Sequence, residues 1–114
     1  MKKIEAVFPS ARLTRAFDAL EKEEIGGLTY FESKGRGQSA RPLLTSGRGT
    51  STFIPEFNAN STMVVVVKDS IVDKVVNKIV EATGTGMAGE GKIFVSDVDD
   101  AVDIGSKARG ESAI

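Results

Sequence analysis

Five consecutive apolar residues, Met63-Val64-Val65-Val66-Val67, constrain the fold of this chain more than any other stretch. β-Branched side chains lose rotamer freedom in a helix and pack well on a pleated surface, so the run predicts a strand. Because it is continuous rather than alternating, it predicts a central strand buried on both faces. Lys68-Asp69 close it, and Ser70 followed by Asp73 resembles a capping box opening a helix to about Ala82. In that helix Ile71, Val72, Val75, Val76, Ile79 and Val80 form a wide apolar stripe, and the β-branched content makes it dependent on packing.

The first half carries the same pattern. Lys3 to Phe8 reads as a strand with Ile4, Ala6 and Phe8 on one face and Val7 on the other, ended by Pro9. Ser10 is expected to cap a helix to about Glu24, with Leu13, Ala16, Phe17 and Leu20 as its buried stripe. Arg12, Arg15, Asp18, Glu21 and Lys22 fall on the solvated side. A left-handed cap at Gly26-Gly27 is expected to stop the helix. A second strand runs from about Leu28 to Lys34, and a fourth from Lys92 to about Val98. The order β-α-β, long loop, β-α-β predicts an α+β fold, the ferredoxin-like βαββαβ sandwich. Its four-stranded antiparallel sheet has both helices on one face, in one domain over residues 1–114. The other sheet face then carries either Val64 and Val66 or Val65 and Val67, and oligomerisation through the sheet would cover it.

Two loops interrupt this pattern. Gly35 to Phe57 is rich in Gly, Ser and Thr, holds Pro42 and Pro55, and has Lys34, Arg36, Arg41 and Arg48 before its first acid, Glu56. Such a loop is either a solvated excursion or a partner-binding segment that orders on binding. The other is Thr83-Gly84-Thr85-Gly86-Met87-Ala88-Gly89-Glu90-Gly91-Lys92. Glycines accept positive φ, so this segment can aim N–H groups at an anion, with Lys92 adding a charge, or it is a plain helix-to-strand turn.

Composition narrows the chemistry. The chain has no histidine and no cysteine, which leaves hydrolase triads, zinc sites and disulfides without their usual residues. With no acid/base pair in evidence either, no enzymatic role is expected. A net charge of -1 gives no field toward nucleic acid or anionic membrane. The longest apolar run is too short to span a bilayer and the N-terminus lacks a signal-peptide run, so a cytoplasmic protein with no direct membrane insertion is expected.

Met1-Lys2-Lys3-Ile4-Glu5-Ala6, Lys34-Gly35-Arg36-Gly37 opening the long loop, Thr85-Gly86-Met87-Ala88-Gly89-Glu90-Gly91-Lys92-Ile93-Phe94, and the ending Arg109-Gly110-Glu111-Ser112-Ala113-Ile114 resemble the nitrogen-regulatory P-II signalling proteins over essentially the whole chain. The resemblance implies a homotrimer with adenine-nucleotide sites in the clefts between subunits. ATP or ADP would act as effector, and the long loop, about residues 35–57, would dock on an ammonium transporter or a nitrogen-metabolism enzyme. It nominates Gly86, Met87, Ala88, Gly89, Glu90, Gly91 and Lys92 for the phosphates, with Glu90 in place of the family's aspartate. Gly35, Arg36, Gly37, Gln38, Lys107 and Arg109 are nominated for further nucleotide or effector contacts, Gln38 also as a ligand to nucleotide-bound Mg. Arg41, Arg48, Ser51, Thr52 and Phe53 are nominated for the partner.

The chain also departs from the family. Asp103 and Gly105 stand where the family has two arginines that reach the phosphates from a neighbouring subunit, in the tail 99–114. Asp103 adds repulsion toward a polyphosphate. Gly35-Arg36-Gly37-Gln38-Ser39 lacks the phosphate-touching arginine at its usual place. Asn60 falls at the lysine that binds 2-oxoglutarate, which argues against Mg-dependent 2-oxoglutarate binding in the usual mode. The uridylylated tyrosine falls at Thr52 or Phe53, and the only tyrosine, Tyr30, lies in a predicted strand. Two readings follow: a regulator with an altered or weakened nucleotide site, or the same scaffold binding another small anion or a metal.

Overall fold

In the computed structural model, residues 1–37, 43–45, 52–54 and 56–114 are described, the side chains of Thr45 and Phe53 excepted. The elements are β1 (Lys2–Pro9), α1 (Leu13–Leu20), β2 (Thr29–Gly35), β3 (Leu44–Thr45), β4 (Thr52–Phe53), β5 (Asn58–Val67), α2 (Val72–Thr83) and β6 (Lys92–Asp97). Single 3-10 turns precede each helix, at Ser10–Arg12 and Asp69–Ile71. The main sheet has the order β2-β5-β1-β6, and every neighbouring pair is antiparallel. This is the expected ferredoxin-like α+β fold.

Register decides which residues meet the helices. Ile4 lies between Val65 and Val95, and Ala6 between Met63 and Ile93. Ile4, Ala6, Phe8, Met63, Val65 and Val67 form the core with Ala16 and Leu20 of α1 and Val75 and Ile79 of α2. The opposite face carries Val64 and Val66, which are only half-buried, and the exposed Phe31 and Phe94. The apolar run is therefore covered on one face, because both helices pack on the same side of the sheet. Val80, assigned by spacing to the buried stripe of α2, is 53% exposed.

Three terminal signals read from sequence do not act as expected. Ser10 caps nothing; it sits in the 3-10 turn, where its hydroxyl donates to Glu32 Oε2 at 2.6 Å. Ser70 likewise lies inside a 3-10 turn, and α2 begins at Val72 without a side-chain cap. Helix α1 ends at Leu20, short of Glu24; Gly26 does take a positive φ of 70°, but in the following loop. A Cβ on Gly26 would lie 3.0 Å from the Ile114 carbonyl carbon, so the chain end packs against that glycine.

The long loop leaves the sheet at Gly35 and returns at Asn58, which pair with each other. Within it β3 and β4 form a two-stranded ribbon, with Leu44 opposite Phe53 and Thr45 opposite Thr52. Gln38, Arg41, Pro42, Arg48, Ser51 and Pro55 lie outside the described residues.

Candidate functional site

One end of the sheet collects the loops of interest. At this end β1 finishes at Pro9, β2 runs out at Gly35, β5 begins at Asn58 and β6 begins at Lys92, opposite Val7. The C-terminal end of α2 delivers the chain to the same place, and residues 84–91 bridge from Thr83 to Lys92.

This glycine-rich loop is folded around a carboxylate of its own. The Thr85 N–H donates to Glu90 Oε2 at 2.7 Å, and the Thr85 hydroxyl donates to Glu90 Oε1. The Met87 N–H also bonds Glu90. The Thr85 hydroxyl above all, then the Thr85 and Met87 amides and the nearby Arg12, hold the Glu90 carboxyl at about 2, below its ordinary 4.5. The glycines supply the backbone this ring requires: φ is 93° at Gly86, 83° at Gly89 and 144° at Gly91. Gly91 also passes close to β1, and a Cβ there would stand 2.3 Å from the Val7 carbonyl oxygen.

Arg12, placed on the solvated side by helical spacing, belongs to this site. Its Nη1 donates to the Thr83 carbonyl and lies 3.3 Å from Glu90 Oε1. Its side chain is 23% exposed and that of Glu90 18%. No local signal marks it, because its partners lie 71 and 78 residues away. Under the loop is a cavity of about 330 Å³ whose lining includes Phe8, Val76, Val80, Met87, Gly89 and Lys92. Lys92 is exposed at its edge. Loop amides other than those of Thr85 and Met87, an exposed ammonium and an apolar cavity can receive an anion joined to an apolar or aromatic body.

The other nominated residues divide into two groups. Gly35, Arg36 and Gly37 are at the same sheet end as the glycine loop. A Cβ on Gly35 would lie 2.4 Å from Asn60 Nδ2, so Asn60 closes over the root of the long loop. The tail instead starts from the opposite end of β6, where Val98 N–H donates to the Met1 carbonyl at 3.1 Å. Roughly 17 Å of strand separates the two ends of β6. The tail closes on itself: Val102 bridges Arg109, and Asp103 N–H donates to the Ala108 carbonyl. Asp103 Oδ1 accepts the Ser106 N–H at 2.7 Å, and bonds from Ser106 and Gly105 hold its carboxyl below the usual range. Arg109 pairs with Asp100 at 2.7 Å, and Lys107 occupies the turn with φ 66°. Lys107 and Arg109 are thus not brought to the glycine loop of their own chain. Among the described residues, no group of three or more His, Cys, Asp or Glu side chains is placed to hold a metal, and no helix is long and apolar enough to cross a membrane.

The family model described as "Nitrogen regulatory protein P-II" matches residues 1–108. A nitrogen regulatory protein P-II of Azospirillum brasilense is 36% identical over 115 residues, covering 100% of both chains. "Nitrogen regulatory protein P-II 2" of Methanothermobacter thermautotrophicus is 36% identical over 114 residues, covering 100% of this chain and 97% of its own. An Arabidopsis thaliana homolog is 38% identical over 112 residues, which is 97% of this chain and 56% of that protein.

Proposed function

The chain belongs to the nitrogen regulatory protein P-II family, and from that membership and the geometry of its loops we propose a signalling regulator that senses an adenine nucleotide at the glycine loop and controls a partner protein through residues 35–57. One observation carries this reading: the glycine loop, with Lys92 and its cavity, lies at the same sheet end as the root of the long loop. A ligand there can shift the long loop only through different affinities for its free and docked forms. The working unit is a homotrimer, and the partner is an ammonium transporter or a nitrogen-metabolism enzyme. The protein is not itself an enzyme.

The fit to a polyphosphate is partial. The glycine loop and Lys92 suit one phosphate, while Asp103 and Gly105 stand in place of the family's arginines and Arg109 is paired with Asp100. ADP is therefore favoured over ATP, and Mg with 2-oxoglutarate adds little. The occupied tail also supports a second reading, in which the same loop takes another small anion. Titration calorimetry with ATP, ADP and AMP, each with and without Mg and 2-oxoglutarate, tests the first reading. Heat from ADP supports it. Silence with every nucleotide, joined to thermal stabilisation by a different anion, moves the assignment to the second.

A further inference from the structure

We propose that Arg12 is the positioning residue that sets the shape of the glycine loop, by clamping the loop's entry at the Thr83 carbonyl and its exit at Glu90 with one guanidinium. The two acceptors bracket the loop, one at the last residue of α2 and one just before Gly91. Carbonyls at a helix C-terminus lack an intrahelical donor and carry the negative end of the helix dipole, so a cation is favoured there. Glu90 in turn holds the Thr85 and Met87 amides. Arg12 thereby joins both ends of the loop through one side chain.

The clamp is anchored outside the loop. Arg12 ends the 3-10 turn that Ser10 begins, and Ser10 is fixed by Glu32 Oε2 at 2.6 Å and by the buried Ser61 at 3.3 Å. Ser61 Oγ also donates to Glu32 Oε1 at 3.0 Å. One short turn therefore touches the glycine loop at one end and, at the other, the strand that runs into the long loop. Its position is set by the edge strand β2 and the central strand β5, so the loop is tied to the sheet. A ligand that binds the loop amides not taken by Glu90 then meets a backbone already oriented, which lowers the ordering cost of binding. The effect on ligand affinity rests on the nucleotide reading above; the effect on loop shape does not.

The test uses the full-length, ¹⁵N-labelled protein and its variants R12Q, R12K, E90Q and R12Q/E90Q. Amide hydrogen exchange is followed at Thr85 and Met87, and binding by titration with ADP and with tripolyphosphate. In R12Q the exchange of these two amides accelerates roughly tenfold or more, on the scale of a lost charge-assisted bond, while Val65 in β5 exchanges as before. R12K keeps the charge without the planar fork and falls between R12Q and the wild type. Because Arg12 acts through Glu90, the double variant exchanges little faster than E90Q. Wild-type exchange at Thr85 and Met87 in R12Q and R12K overturns the proposal, as does full multiplication of the two single effects. Where R12Q does not fold, R12K decides by the same two amides. A wild-type protein that binds neither ADP nor tripolyphosphate overturns the phosphate reading alone, because the exchange data still judge the clamp.

Discussion

Gly91 and Gly86 both hold positive φ, yet they tolerate a side chain very differently. At Gly86, with φ 93°, an added Cβ meets nothing within 4 Å. At Gly91, with φ 144°, it would strike the Val7 carbonyl where β6 joins β1. Gly86→Ala is expected to cost about 1–2 kcal/mol from backbone strain alone, and Gly91→Ala about 3 kcal/mol or more because strand pairing must also give way. Urea denaturation of the two variants checks the order. Glu90 supplies a pH signature at the same scale. Its folded carboxyl titrates at about 2 against an ordinary 4.5, so its contribution is complete above 4.5 and is lost as pH falls toward 2. Protection of the Thr85 and Met87 amides is expected to fall across that window, and Glu90→Gln to remove the dependence. The glycine spacing made this loop legible as a turn able to face an anion. That Glu90 fills part of the ring itself was not legible, since a lone acid among glycines gives no hint of which amides it will accept.

Among the elements, α2 was the easiest to read and also shows where reading by period stops. Val72, Val75, Val76 and Ile79, with Ile71 of the preceding 3-10 turn, do face the core, as the spacing of apolar residues requires. Val80 continues the same pattern but stands at the cavity edge, beyond the area that the sheet covers. Ile79→Ala is expected to cost about 2–5 kcal/mol, and Val80→Ala to stay within about 0.5 kcal/mol. Denaturant midpoints at unchanged slope would confirm the contrast, and equal losses would show that the stripe is buried on both sides. The helix starts failed for a related reason. Ser10 and Ser70 have the right chemistry for caps, but Ser10 finds Glu32 across 22 residues of sequence, and a tertiary hydrogen bond displaces a local one. The same long-range pairing that took Ser10 from its helix took Arg12 from its solvated face. Periodicity registers what an element buries; it carries no record of which distant carboxylate waits beside its first turn.

For the molecule as a whole, the unresolved side of the architecture is the open face of the sheet. Sequence left two choices for its apolar residues, and register selects Val64 and Val66, flanked by Phe31 of β2 and Phe94 of β6. Phe31 and Phe94 are each about half exposed, and another molecule is expected to cover this face. The tail of a single chain starts at the opposite end of β6 from its own glycine loop, so any tail contact to that loop would have to come from a neighbouring subunit. Val64→Lys separates assembly from folding, because Val64 is directly opposite Glu5, a cross-strand position where the new cation finds an anion on the solvated face. The wild-type chain is expected to sediment at three times its 12.1 kDa mass, and the variant at the mass of one folded chain with native circular dichroism. Burying the new ammonium in an apolar trimer interface costs its desolvation even beside Glu5, so a V64K protein that remained trimeric would place the interface elsewhere.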